Sequence, residues 1–553
     1  MRKLPVTLFL LCHFSVVFTQ TVTGPDSPLK FGSNYRIYPG SMNQTEVFIA
    51  KSPLDQNVIF STCNTLNFIP FFISEGIFTS TNGGISWVGN DTCTGAPIAY
   101  HGGDPGITID RNGTFIITRM GRSPFVGLYS HFSLDNGQTW SYQNVISTDD
   151  LERAAVTTNI SPVSPYSGRT HAVWVKFATP FPVMHAYTDD GARHWSTPVP
   201  INNPSNRSAG GDIAIGPDGK IYTCWAGVQD VSPFKEILVG FASSSNGGAD
   251  WQVTENAFPV NGINGVLANK NNIRVNGLPG IAVDTTNGPR KGWIYIVTGQ
   301  KAFAPAGSDP DIVLYRSTDG GATWSAGIRV NQDPLNNGKT QYFPSMHLDK
   351  YGALNIIFYD DRRTTNDSAG VFLARSMDGG DTWTEFEISD HHFRPAPIGG
   401  LGQGYQGDNI DLTSTDTKLI PLWMDNSTGL YQIWTVPIDF SEINGIHEIN
   451  NPALMSLQPN TPNPFSDHTT IGFRVETAGH VSLKIFDVLG NEVAELVNEW
   501  KYPGNYRVTF NPSTLTGSHT LTGSAPMKNG IFIVRLTLHD RVETQRMIYI
   551  KGN

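Results

Sequence analysis

Ser317-Thr318-Asp319-Gly320-Gly321-Ala322-Thr323-Trp324 is the stretch on which the fold turns. An Asp side chain in such a position bonds the backbone a few residues on and tolerates a left-handed turn. The glycine takes positive φ without a Cβ penalty. The tryptophan that follows can fold back over an apolar face. The run Asp311-Ile312-Val313-Leu314-Tyr315-Arg316 leads into this corner and reads as a strand. The same pattern, S/T-x-D/N-x-G-x-x-W, begins at Ser80, Ser133, Thr188, Ser244, Ser317 and Ser376, at spacings of 53 to 73 residues. The copy at Thr188 carries Ala192 in the glycine position. A recurrence on this scale marks a repeat architecture.

A second element alternates with the corners. It reads strand, polar turn, strand, and starts at Gly106, Asp212, Gly280, Ser345 and Asn409, with weaker versions at Ile49–Phe60 and Ile160–Phe177. One such pair plus one corner hairpin makes four strands, the size of a propeller blade. The repeated octapeptide resembles the Asp box, or bacterial neuraminidase repeat, of sialidases and related glycan-active propellers. The resemblance covers residues 30–440 and implies an all-β Asp-box β-propeller of six or seven blades. Seven strand-pair units favour seven, the last (Asn409–Val436) having no recognisable corner.

Composition agrees with many short strands. The 553 residues include 56 Gly and 36 Pro, 11% are aromatic and 16% charged. The net charge is −10 and no Lys/Arg-rich run occurs, so no nucleic-acid partner is expected. Arg2 and Lys3 followed by the apolar stretch Leu4–Phe18 read as a signal peptide over residues 1–22, and no transmembrane span is expected in the mature chain. Of the remaining cysteines, Cys63 and Cys93 are open to pairing or to staying as thiols, and Cys224 reads as a buried thiol. His391-His392 has no second cluster at ligand spacing, and neither a metal nor a cofactor is expected.

Residues 441–459 read as a linker, and 460–553 as a small β-sandwich. Pro462-Asn463-Pro464-Phe465, the block from Val481 to Val493, Asn529–Leu536 and the end Glu543–Lys551 resemble the type A sorting domain of the type IX secretion system. The segment Pro512–Asn529 is longer than the turn usual there. This resemblance implies export through the inner membrane, the type IX secretion machinery as a partner, and a cell-surface or extracellular location.

In a propeller whose first strand is innermost, that strand's start and the second strand's end share one face, and the corners lie on the other. The corner Asp residues are then structural. Strand starts carry Glu46, Asp104, Asp212 and Asp408, with Tyr342 and Tyr405 nearby. Strand ends carry Arg119, Arg122, Lys176, Lys301, Asp425 and the run Asp360-Asp361-Arg362-Arg363. Carboxyls held close can split into acid and base roles, and arginines grip a sugar carboxylate with two bonds. The catalytic candidates are therefore Asp361, Asp104, Asp408 and Tyr342, and the substrate-binding candidates Arg363, Arg119, Arg362 and Asp212. The resemblance implies an exo-glycosidase acting on acidic glycan or polysaccharide, with three arginines, a Tyr–Glu pair and an Asp acid. Against that pattern, Tyr35-Arg36-Ile37-Tyr38-Pro39 only approximates the family's first arginine motif. A non-catalytic glycan-binding propeller and a surface scaffold are the competing readings.

Overall fold

A computed structural model describes residues 31–551 except 69–70, 94–99, 401, 445–454, 476–477, 515–526 and 539–540. The signal-peptide reading, and the middle of the linker reading, lie outside the described residues. The chain divides into two compact units, Met1–Ile443 and Asn444–Asn553.

The first unit is a β-propeller. Among the described residues it contains seven antiparallel sheets of four or more strands. Their innermost strands are Asn43–Lys51, His101–Ile109, Ala155–Thr158, Arg207–Ile215, Gly280–Val283, Gln341–Leu348 and Asp411–Ser414. Each lies beside the next, and the last lies beside the first. Six sheets are built from consecutive strands, as in Gln341–Leu348, Leu354–Asp360, Gly370–Ser376 and Thr384–Glu387. The seventh takes its outer strand from the other end of the unit: Tyr35 pairs with Thr435 and Arg36 with Trp434.

The repeated corner explains why each outer hairpin closes. In all six copies the Ser or Thr hydroxyl accepts the N–H four residues on, and the Asp or Asn side chain accepts the N–H four residues beyond itself. These bonds span 2.8–3.1 Å. Each corner follows the third strand of its sheet, on the face away from the innermost-strand starts. Apolar residues of neighbouring sheets then pack together. Ile294, Ile296 and Val313 of the fifth sheet meet Cys224, Val239 and Phe241 of the fourth. Burying each such Ile, Val or Phe contributes about 1.5–3 kcal/mol.

Two local features differ from expectation. The third sheet's innermost strand is Ala155–Thr158, upstream of the strand pair expected from Ile160, and Ile160 itself is exposed. An additional hairpin, Gly265–Leu267 with Ile273–Val275, is inserted between the fourth and fifth sheets. Cys63, Cys93 and Cys224 are all buried and unpaired, with Cys63 and Cys93 in separate apolar clusters.

The second unit holds two sheets. One is Met455–Leu457, Thr469–Val475 and Gly504–Phe510; the other is Glu492–Lys501, Gly479–Asp487, Gly530–Leu538 and Arg541–Tyr549. Ile471, Phe473 and Val475 of the first share a core with Leu483, Ile485, Val534, Leu536 and Met547 of the second. Alternation of buried and exposed positions along Gly479–Asp487 and Gly530–Leu538 is that of sheets with one wet face. Met455–Leu457 falls inside the stretch read as linker.

Candidate functional site

Four innermost strands are interrupted at equivalent points. The register shifts between Thr45 and Phe48, between Gly103 and Gly106, between Ala209 and Asp212, and between Tyr342 and Ser345. At these shifts Glu46, Asp104, Gly210 and Phe343 have φ of 57°, 52°, 61° and 52°. A bulge turns one side chain out of the pleat, which here re-aims carboxylates. A left-handed backbone at a non-glycine residue costs about 1–3 kcal/mol and collects at functional sites. Crowding at the axis also demands small residues: a Cβ on Gly106 would stand 2.1 Å from the Ala154 carbonyl oxygen.

The bulged strands surround a cavity of about 440 Å³. Its wall carries the carboxyl groups of Glu46, Asp104, Glu152, Asp212, Asp408 and Asp411, the guanidinium groups of Arg153 and Arg274, and Tyr405. The carboxyls fall into two kinds. Asp212 and Asp411 are staples between sheets. Asp212 accepts Ile213 N and, from the fifth sheet, Ile281 N, both at 2.9 Å. Asp411 accepts Leu412 N at 2.9 Å, Ile49 N of the first sheet at 3.0 Å and the Ser345 hydroxyl of the sixth at 2.9 Å. Burial still raises both, Asp411 to about 6.

Glu46, Asp104 and Glu152 are less tied down. Burial, then the charges of Asp104 and Asp408, push the Glu46 carboxyl well above its ordinary value. Burial also raises Asp104, against the pull of Asn64. Asn64 grips it twice: its Nδ2 donates to Asp104 Oδ1 at 3.1 Å, and its Oδ1 accepts Asp104 N at 2.6 Å. Glu152 is pushed up to about 7 by burial and then by Asp104, with Arg153 opposing. Tyr405 meets Thr45 Oγ1 at 3.0 Å and accepts from Asn64 Nδ2 at 3.3 Å. Burial and the charge of Glu46 hold its hydroxyl firmly protonated.

The two arginines differ. Arg274 makes a two-bond ion pair with Asp408 and lies over the Tyr405 ring, 5.2 Å from its centroid. The inserted hairpin brings it there. That hairpin is a strap tied to the sixth and seventh sheets: buried Lys270 Nζ donates to Asp361 at 2.7 Å, Asn366 O at 2.8 Å and Ser368 O at 3.1 Å. Asn271 Nδ2 donates to Pro395 O at 2.7 Å, and Arg274 N to Gly404 O at 2.7 Å. Arg153 lies over Phe48, and among the described residues its guanidinium makes no ion pair or hydrogen bond. It is a half-buried cation facing an acidic wall, free to receive an anionic group.

Of the residues singled out in sequence, Glu46, Asp104, Asp212, Asp408 and Tyr405 meet in this wall; Asp361, Tyr342, Arg119, Arg362 and Arg363 do not line it. Asp361 is the strap's anchor, with Oδ2 on Lys270 and Oδ1 accepting Thr340 N at 2.8 Å. Arg362 is spent on Asp360 and Glu385. Arg363 is half exposed and pairs with Glu387 at 3.2 Å. Arg119 lies inside the second sheet, donating to His131 at 3.1 Å and Gln143 at 2.8 Å. Tyr342 is fully buried, stacked on Tyr359 at 5.0 Å. The charges of the 360–363 run are thus taken up, Asp360 and Arg362 by each other and the rest by Lys270, Glu385 and Glu387 outside the run.

Glu152, Arg153, Arg274 and Asp411 escaped the sequence reading. Placing the third innermost strand at Ala155 would have put Glu152-Arg153 at a strand start. The longest spacing between corners, 73 residues from Ser244 to Ser317, marked the insertion that carries Arg274.

The sequence matches no protein-family model and no curated protein. Among solved structures, the chain is similar to an ulvan lyase of a new polysaccharide-lyase family, at 11% identity over 75% of this chain and 96% of that one, TM-score 0.47. It is similar also to the α-L-arabinofuranosidase of Fusarium graminearum, at 13% identity over 64% of this chain and 97% of that one, TM-score 0.40. A third similar structure is the leech intramolecular trans-sialidase, at 10% identity over 65% of this chain and 70% of that one, TM-score 0.40.

Proposed function

We propose that this protein is an exported sialidase-like propeller that hydrolyses a glycosidic bond at an acidic sugar in the axial cavity, with its C-terminal unit directing type IX secretion to the cell surface or medium. The observation that carries the hydrolytic reading is Glu152, whose carboxyl is raised to about 7 in a wall it shares with Asp104 and the unpaired Arg153. A carboxyl with that affinity holds a proton near neutral pH and can still release it. In this reading Glu152 gives its proton to the leaving glycosidic oxygen as the bond to the anomeric carbon breaks. Water adds to that carbon, and the Asp104 carboxylate takes the water's proton. Arg153 holds the carboxylate or sulfate of the sugar.

The test is release of a fluorogenic leaving group from a panel of sialosides, uronides and neutral glycosides, with wild type beside Glu152→Gln and Asp104→Asn. Each variant is expected to lose about 10²–10⁴-fold in rate. Wild-type kcat/KM should fall as pH rises through about 7, because the acid is then deprotonated. Inactivity of folded wild type across the panel would defeat the hydrolytic reading.

Non-catalytic glycan binding is the second reading. It is favoured by the arginine count: two line the cavity among the described residues, and Arg274 is already engaged by Asp408.

A further inference from the structure

On the face that carries the cavity, the turns between second and third strands repeat a short motif: Ser123-Pro124-Phe125, Thr179-Pro180-Phe181 and Ser232-Pro233-Phe234. These turns lie on the same face as the innermost-strand starts. Between two of them sits Arg207, the first residue of the fourth innermost strand, whose Gly210 and Asp212 line the cavity. Its guanidinium carbon is 4.3 Å from the Phe181 ring centroid, 4.6 Å from Phe234 and 5.4 Å from Phe177. Among the described residues this guanidinium makes no hydrogen bond or ion pair. Arg122 repeats the arrangement on the second sheet, over Phe71 at 5.0 Å and Tyr100 at 5.8 Å, and it too has no carboxylate partner among the described residues. Phe125 and Phe234 are 47% and 41% exposed.

We propose that Arg207, caged by Phe177, Phe181 and Phe234, is a second binding subsite, outside the axial cavity, for an anionic group on a glycan chain. The inference deepens the glycan reading and rests on it. Aromatic faces hold a guanidinium flat by cation–π attraction while leaving its N–H edge free. That edge is the fork that receives a carboxylate or sulfate with two parallel bonds. The exposed phenylalanine rings beside it offer apolar faces to a sugar ring. Continuity of the strand from Arg207 to Asp212 puts the subsite next to the cavity, so one chain can occupy both. The substrate class is therefore a polysaccharide with repeated anionic groups, and not a lone terminal acidic sugar on a neutral glycan.

The test measures binding of three hexasaccharides to the full chain by calorimetry: an alginate hexamer (carboxylate), a heparin hexamer (sulfate) and laminarihexaose (neutral). Wild type is compared with Arg207→Gln and Arg207→Lys, each checked for an unchanged melting curve. The expected result is that wild type binds at least one anionic hexamer, and that Arg207→Gln weakens it about tenfold, the loss of one charge-assisted contact. Arg207→Lys should recover part of the loss. Whichever hexamer binds identifies the anion. Unchanged affinity in Arg207→Gln, an equal loss on laminarihexaose, or no binding of either anionic hexamer by wild type would overturn the proposal. Hydrolysis of small fluorogenic glycosides reports on the axial cavity alone and should be unaffected by Arg207→Gln. Failure of the hydrolytic reading therefore appears in a different assay from failure of this one.

Discussion

Replacing Lys270 with Met tests how the strap is held. Lys270 and Asp361 are both fully buried at their side chains and 2.7 Å apart. The ammonium also donates to two carbonyls, and burial lowers its pKa even with Asp361 beside it. Lys270→Met keeps most of the side-chain volume but leaves the Asp361 carboxylate buried without its cation. Breaking a buried pair in this way costs about 3–5 kcal/mol. Lys270→Met with Asp361→Leu removes both charges and leaves the Thr340 N–H without its 2.8 Å acceptor, a cost of about 1–3 kcal/mol. The double variant should therefore be more stable than the Lys270 single variant. Urea unfolding of the propeller unit followed by tryptophan fluorescence gives the free energies, and proteolysis within 265–275 reports on the strap itself. Additive losses in the double variant, or a Lys270→Met loss below about 0.5 kcal/mol, would refute the reasoning. The same geometry predicts that Asp361→Asn lowers activity by loosening Arg274, and not by removing a chemical group from the cavity.

Three further outcomes are expected. The raised carboxyl of Glu152 contributes stability that is fully present below its unfolded value of 4.5 and is lost as pH rises through about 7. Wild type should thus lose more melting temperature than Glu152→Gln between about pH 5 and pH 8. Ser317→Ala removes the acceptor of Gly321 N at 2.8 Å and should cost about 1 kcal/mol in unfolding free energy, leaving the cavity chemistry intact. Cys63, Cys93 and Cys224 should resist alkylation in the native protein and all react once it is unfolded without reductant, as read by intact mass; an unreactive Cys63 and Cys93 after unfolding would show a disulfide.

The repeated corner made the sheets legible because its defining chemistry is local: its Ser or Thr hydroxyl and its Asp or Asn side chain each accept a backbone N–H four residues on. The strand starts were legible for the same reason, and Asp104, Asp212 and Asp408 were found from them. What sequence could not supply was partnership across the ring. Asp361 and Lys270 are 91 residues apart, and Arg274 and Asp408 are 134 apart. A run such as Asp360–Arg363 looks like a cluster awaiting a ligand until Lys270, Asp333 and Glu385 are seen to use it up. Glu152-Arg153 was hidden because the strand that follows is only four residues long and its alternation is weak.

The pairing of Tyr35–Arg36 with Trp434 and Thr435 makes the circle a latch whose halves are made at opposite times. The first half emerges early in synthesis, and its partner appears only when nearly the whole unit has been completed. Until then Tyr35–Arg36 has no sheet to join, and once Gln432–Thr435 is made its edge stays unpaired until the two ends meet. Fastening the ends together also carries the loop-closure entropy of the entire unit in one step. Trimming the chain beyond Ser33 would leave that seam open, and self-association through the bare edge should follow.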